Sequence, residues 1–236
     1  MAHSAAEMEA IRKNALNVAA KLFLEKGYTE STVKEIAGGA NISVGALSRM
    51  FGTKESILCE LVKYVLENQF KTATEMVKGK TEDKILFYAA ETTLQLYIVE
   101  SSEQIRELYT VAYSLPKTTE IIQNTITGKL EDVFKEHLPN LETKDFYMLE
   151  IASGGIMRGF MTIPCNMWFT MEQKIKSFLE TTFLVYRVPD EKIKEAIEFV
   201  SQFDYPRIAK ELIETMLAYL EGENVWDDKN TGKRVY

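Results

Sequence analysis

The chain has 236 residues, 46% of them hydrophobic and 27% charged, with a mean hydropathy of −0.16. That composition excludes collagen-like, low-complexity and wholly disordered chains, and no apolar run approaches the roughly 18 to 20 residues that cross a bilayer. Lys and Arg number 28 against 35 Asp and Glu, a net charge of −7 and a pI near 5.1, which argues against general coating of nucleic acid.

In chain order, Met1 to Glu9 carries two glutamates and no basic cluster ahead of an apolar stretch, so no secretory signal is expected. Ile11–Lys26 places Ile11, Ala15, Ala19, Leu22 and Phe23 at three- and four-residue steps, an amphipathic helix stopped by Gly27. Glu55–Phe70 repeats the pattern with Ile57, Leu58, Leu61, Val62 and Val65. Helices are then predicted over Asp83–Val99, Glu103–Ser114, Thr118–His137, Lys144–Ile163, Met171–Arg187, Glu191–Gln202 and Pro206–Glu221, with Pro116, Pro139, Pro164 and Pro189 as punctuation. No hairpin signal or internal repeat interrupts them. The fold class is all-α: an N-terminal head over 1–52, a larger helical body over 53–222 that begins with a connecting helix at 53–78, and a polar tail over 223–236.

Charge is unevenly placed. Residues 1–58 hold seven basic and six acidic side chains, a net of +1, so a net of −8 falls on the remainder. Within Thr32–Lys54, three basic residues face Glu35 alone. A small cationic face on an otherwise acidic chain permits selective contact with phosphate and disfavours indiscriminate binding.

The segment Thr32 to Phe51 is the most informative. Thr32-Val33-Lys34-Glu35 fits a capping box that opens a short helix with Ile36 and Ala37 inward. Asn41 falls where a tight inter-helix turn needs positive φ, which Asn tolerates better than most side chains. Ile42 plugs the corner, and Ser43 is an N-cap for a second helix with Leu47 and Met50/Phe51 inward. This is helix-turn-helix spacing, and it leaves Ser43, Val44, Gly45, Ala46, Ser48 and Arg49 free to enter a major groove. An αα-hairpin that only packs is the competing reading of the same spacing.

Four spaced blocks extend the pattern: Ala19 to Tyr28, Ser31 to Ala37, Ile42 to Leu47 and Phe51 to Leu58. Together they resemble the TetR family of bacterial transcriptional regulators over residues 10 to 60. The resemblance implies a three-helix DNA-binding head, a variable effector-binding body and a homodimer that reads two half-sites of a near-palindromic operator. It places Lys34 at a base- or phosphate-contacting position, Ser43, Val44 and Ala46 on the recognition helix, and Thr32 and Lys54 at phosphates. The chain departs from the family at Ser48, where a Tyr is common, and at Asn41, where Gly is usual. Lys34 and Arg49 are the only long donors near a helix face of small residues, so direct base readout is expected to be thin.

The body is rich in Met and aromatics. Tyr109, Tyr113, Met148, Met157, Phe160, Met161 and Trp168 are candidate lining for a cavity that takes a small apolar or amphipathic effector, with core packing as the alternative for each. Small residues Ala152 to Gly155 suit close helix approach, so segments 145–163 and 171–187, with Phe178, Phe183 and Val185, are the candidate dimer interface; a kink or ligand approach at Gly154-Gly155 competes. Arg106 and Arg158 lie in mostly apolar helices, where an anionic ligand or a salt bridge would explain them.

Cys59 and Cys165 make no disulfide framework and the two histidines no zinc cage, so no cofactor or metal is expected and the compartment implied is a reducing cytoplasm. No phosphate loop, dinucleotide fingerprint or paired Glu-x-x-His set supports a helical enzyme. The reading is a TetR-type regulator, a repressor released by an effector. The alternative is an architectural, partition or partner-regulated DNA-binding protein on the same fold.

Overall fold

In a computed structural model, residues 5–221 are described, and among them eleven helices account for the regular structure. The polar tail expected over 223–236 lies outside the described residues. Head helices α1 (Ala5–Lys26), α2 (Val33–Gly39) and α3 (Val44–Phe51) lead into α4 (Lys54–Val77). The body continues with α5 (Lys84–Glu100), α6 (Glu103–Ala112), α7 (Pro116–Phe134), α8 (Thr143–Thr162), α9 (Met171–Val185), α10 (Asp190–Val200) and α11 (Tyr205–Glu221). No described helix is long and apolar enough to cross a membrane.

Local chemistry explains the boundaries. Thr32 caps α2 in a full capping box with Glu35, and Ser43 Oγ accepts from the Ala46 amide to start α3. Asn41 takes φ 56 in the turn between them. Gly39 is a close-approach position as well: a Cβ there would lie 2.7 Å from Val18 Cγ1, so α2 could not sit this near α1 with a larger residue. α7 starts at Pro116 rather than Thr118, because proline is acceptable at the first helical position, where no amide hydrogen bond is lost. α4 runs to Val77, one further turn and more past Phe70, since Ala73 and Val77 continue its buried face.

The head core gathers Ala15, Ala19, Phe23, Ile36, Leu47 and Phe51 around Ile57, Leu58 and Leu61 of α4. It runs on without a break into Ala112, Ile122 and Leu220 of the body, so the connecting helix is packed along its length. The body core centres on Phe134, Phe178, Phe183 and Tyr186, the first and last of these stacked with centroids 4.0 Å apart.

Two polar ties also join head and body. Glu107 of α6 accepts from the Thr29 amide at 2.8 Å, and Lys21 of α1 pairs with Glu221 of α11 at 2.5 Å. Glu107 reaches the chain so closely that any Cβ at Gly27, which already has φ 87, would collide with its carboxylate. A side chain at residue 27 would therefore displace this contact.

An ion cluster braces the body. Lys174 of α9 is 0% exposed, and its Nζ donates to Glu100 Oε1 and to the Ile163 carbonyl, each at 2.5 Å. Arg106 Nη2 donates to the other Glu100 oxygen at 3.0 Å. Arg106 is thus a salt-bridge residue. Arg158 lies on the exposed side of α8 and donates from Nε to Ser114 Oγ at 2.9 Å. His137 lies beyond the end of α7, with Nε2 3.1 Å from the Arg187 carbonyl.

Candidate nucleic-acid interface and effector cavity

The outward face of the head is built by α2 and α3. Ser43, Val44, Gly45, Ser48 and Arg49 are exposed, Val44 to 47%, while Ala46 is half-buried and Leu47 and Phe51 anchor the helix from beneath. A Cβ on Gly45 would stand 4.0 Å from Arg49 Nη1, which puts the guanidinium alongside the start of α3. Lys34 is exposed on α2, and no ion pair among the described residues engages it or Arg49. Both cations are available to an anionic partner.

The remaining candidates are already engaged. Ser48 Oγ donates to the Gly52 carbonyl at 3.3 Å. Thr32 Oγ1 accepts from the Glu35 amide and donates to the Glu35 carboxylate. Hydrogen bonds from Lys26 first, then from Thr32, hold that carboxyl at about 2, well below the usual carboxylate range. Lys54 is the larger departure from expectation. Its Nζ donates at 2.8 Å to the carbonyls of both Tyr28 and Ser31 and lies 4.2 Å above the Tyr28 ring. Burial depresses its pKa despite the opposing pull of Glu107 and Glu30. Lys54 fastens the α1–α2 turn to α4, and these bonds compete with a phosphate contact.

Within the body, Glu91, Gln95 and Thr92 of α5, Tyr113 after α6, Lys129 of α7 and Glu150, Ser153 and Met157 of α8 line a cavity. Its enclosed space is about 40 Å³. Glu91 and Glu150 are each 4% exposed. Gln69 donates to Glu91 Oε1 at 2.5 Å and Ser153 to Glu150 Oε2 at 3.2 Å, while Tyr186 donates to Ser153 at 2.7 Å. Burial is the main cause that raises both carboxyls, Glu91 to about 7 and Glu150 to about 8; the Gln69 and Ser153 hydrogen bonds oppose it. Gln95 also borders a second, apolar cavity with Leu61, Val65, Leu108 and Tyr109, and a third continues past Tyr109 to Ile98, Ile213 and Met216.

The sequence candidates for this cavity divide. Tyr113 and Met157 line it, and Tyr109 lines the apolar extension while donating to Gln69 at 3.3 Å. Met161 is core, and Phe160 packs edge-on to Phe178. Met148 and Trp168 point outward, Trp168 with 81% of its surface exposed, because Asn166 Oδ1 accepts from the Trp168 and Phe169 amides and turns the loop away from the core. Those two therefore belong to the outer surface and not to the cavity. Glu91, Gln95, Glu150 and Ser153 were not among the candidates. Their signal in the sequence is a polar residue inside an apolar helix, most plainly Glu91 between Ala90 and Leu94.

That outer surface has its own pattern. α8 turns Phe146, Glu150, Ser153, Met157 and Met161 inward. It leaves Met148, Ile151, Ala152, Gly155 and Gly159 exposed along the opposite side, and a Cβ at either of those glycines would meet nothing within 4 Å. Gly154 faces the interior, where a Cβ would lie 3.0 Å from Glu150 Oε1. Leu184 of α9 is exposed, the rest of the outward side of α9 is polar, and Phe178 and Phe183 are core rather than interface.

Comparison with known proteins agrees with the head. Residues 15–61 match the family described as "Bacterial regulatory proteins, tetR family". The transcriptional repressor KstR2 of Rhodococcus jostii is 34% identical over 82 residues, 35% of this chain and 40% of that protein. The uncharacterized transcriptional regulator YuxN of Bacillus subtilis is 29% identical over 116 residues, 49% of this chain and 40% of its own. The chain thus spans about two fifths of the length of these curated relatives, which are named as regulators and not as enzymes. A solved structure of RolR in complex with the ligand resorcinol covers 85% of this chain and 97% of its own, with a TM-score of 0.62 at 17% identity, a likeness of fold.

Proposed function

We propose, from the match of residues 15–61 to the tetR family, that the chain is a TetR-type regulator that binds a near-palindromic operator as a homodimer, acts as a repressor and is released by a small-molecule effector. The observation that carries this reading is the outward face of α3, where Ser43, Val44, Gly45, Ser48 and Arg49 stand clear of the core beside Lys34. Small side chains let the helix backbone sink into a groove, and the two cations contact phosphate or a base edge at its rim. Thr32 and Lys54 shape this face from behind.

Two heads are joined through the exposed stripe of α8, together with Leu184 of α9. Gly155 and Gly159 permit close helix approach there, and Met148 and Ile151 supply apolar area. The effector occupies the body cavity. RolR holds a small aromatic ligand on the same fold, and here α6 lies between the two sites. Its Glu107 meets the head at Thr29, while Tyr109 and the adjoining Tyr113 border the cavities. A ligand that favours one position of α6 shifts the head spacing by its differential affinity for the two arrangements.

A gel-shift titration on DNA flanking the chain's own gene tests the reading. Arg49→Ala and Lys34→Ala are each expected to weaken retardation by about tenfold or more, with a shallower salt dependence where a phosphate contact is lost. No retardation by the wild type, or unchanged affinity in both variants, contradicts it.

A further inference from the structure

The buried end of the body cavity gathers two carboxyls and one amide. Glu91, Gln95 and Glu150 are each 4% exposed, and each has one oxygen already in use or set beside a used group: Glu91 Oε1 holds Gln69, Glu150 Oε2 holds Ser153, and Gln95 gives its Nε2 to the Tyr113 hydroxyl at 3.0 Å. The second oxygens, Glu91 Oε2 and Glu150 Oε1, and the amide oxygen of Gln95 stand outside those three bonds. No ion pair among those residues reaches either carboxylate. The nearest cation in the lining is Lys129, which is exposed at the mouth on α7 with its Nζ 5.2 Å from the centre of the Phe70 ring. Burying two carboxyls against neutral partners is costly, and an incoming positive charge recovers that cost.

The walls suit the same ligand. Phe70, Phe87, Tyr88 and Tyr113 are among the lining, and an aromatic ring attracts a cation held over its face. A second, apolar cavity shares Gln95 and Tyr113 with it and runs along Leu61, Val65, Leu108 and Tyr109. We propose that the effector is an amphipathic organic amine: its ammonium sits between Glu91 and Glu150, donating to their second oxygens and to Gln95, and its apolar body lies along α4 and α6 toward Tyr109. A primary ammonium carries three donors, which matches these three acceptors. A carboxylate ligand of the same shape would meet two acids and no buried cation.

This inference rests on the effector-binding reading above, and its test uses the full-length protein without DNA, so a failure of operator binding and a failure here are separate results. Three probes of one skeleton are titrated by calorimetry at pH 7.5: 4-phenylbutylamine, 4-phenylbutanol and 4-phenylbutyrate. The amine is expected to bind at least tenfold more tightly than the alcohol, with the carboxylate weakest. Glu91→Gln and Glu150→Gln, isosteric and checked for folding by thermal melting, are each expected to lose most of that tenfold preference while still taking the alcohol. Equal binding of amine and alcohol, preference for the carboxylate, absence of saturable amine binding at millimolar concentration, or an unchanged preference in both folded variants overturns the proposal.

Discussion

Lys174→Met is expected to lower the unfolding free energy by about 3 kcal/mol, the low end of the range for removing one partner of a buried ion pair. The cause is geometric. Lys174 is wholly buried and gives two of its donors to Glu100 and the Ile163 carbonyl, so methionine leaves a carboxylate and a carbonyl short of partners. Arg106 still holds Glu100 Oε2, which limits the loss. For a chain of this size each kcal/mol moves the melting temperature by roughly 2 to 4 °C, so thermal melting resolves the effect. Burial disfavours ionised Glu100, yet the Lys174 hydrogen bond, the Cys165 amide and the charges of Lys174 and Arg106 outweigh it and hold the carboxyl below its ordinary value. The stability this contributes is present above the unfolded carboxyl's pKa and is lost as pH falls through the folded one. The deficit of the variant should therefore shrink in acid. A loss under about 1 kcal/mol at neutral pH would show that the cluster is not a brace.

Glu91→Gln has the opposite sign. The folded carboxyl, raised to about 7, keeps a proton that the unfolded chain has already released. Stability is therefore greatest below the unfolded pKa and is lost as pH rises through the folded value. By about pH 8.5 the whole cost is felt, on the order of 3 kcal/mol. The groups that face Glu91 are Gln69 from α4, Tyr109 and Tyr113 at α6, Lys129 from α7 and Glu150 from α8; only Lys129 favours its ionised form by charge. Glutamine removes the titration and keeps the shape. The variant should match the wild type near pH 5 and exceed it by about 2 to 3 kcal/mol near pH 8.5 in urea unfolding. Parallel pH profiles for the two proteins would place the carboxyl in a solvated site.

The head was legible in the sequence because its determinants are local. Thr32 with Glu35, Asn41 at φ 56 and Ser43 act within three or four residues of themselves, and their spacing alone places α2, the turn and α3. The helices of the body were legible for the same reason. Their pairing was not. Nothing near Lys174 announces Glu100, which lies 74 residues away, and helical spacing treats Met148, Met157 and Met161 alike although one is outside, one lines the cavity and one is core. Lys54 shows the limit from the other side. Its position suits a phosphate contact, but three-dimensional packing brings the Tyr28 and Ser31 carbonyls to its ammonium first.

Joining two heads through α8 is the central claim, because small residues on α3 give each head little base contact and the pair must supply the rest. Ile151 is half exposed in the single chain, so Ile151→Glu leaves the fold intact while it places a charge in the proposed interface. The decisive measurement is sedimentation velocity of wild type and Ile151→Glu, alone and with the flanking DNA at equal salt. The wild type is predicted to sediment as a dimer and to load two chains per site, and the variant to sediment as a monomer with operator affinity reduced about a hundredfold or more, the scale on which linkage of two modest sites acts. A wild-type monomer that binds the same DNA as tightly, or a monomeric variant with undiminished affinity, would contradict it.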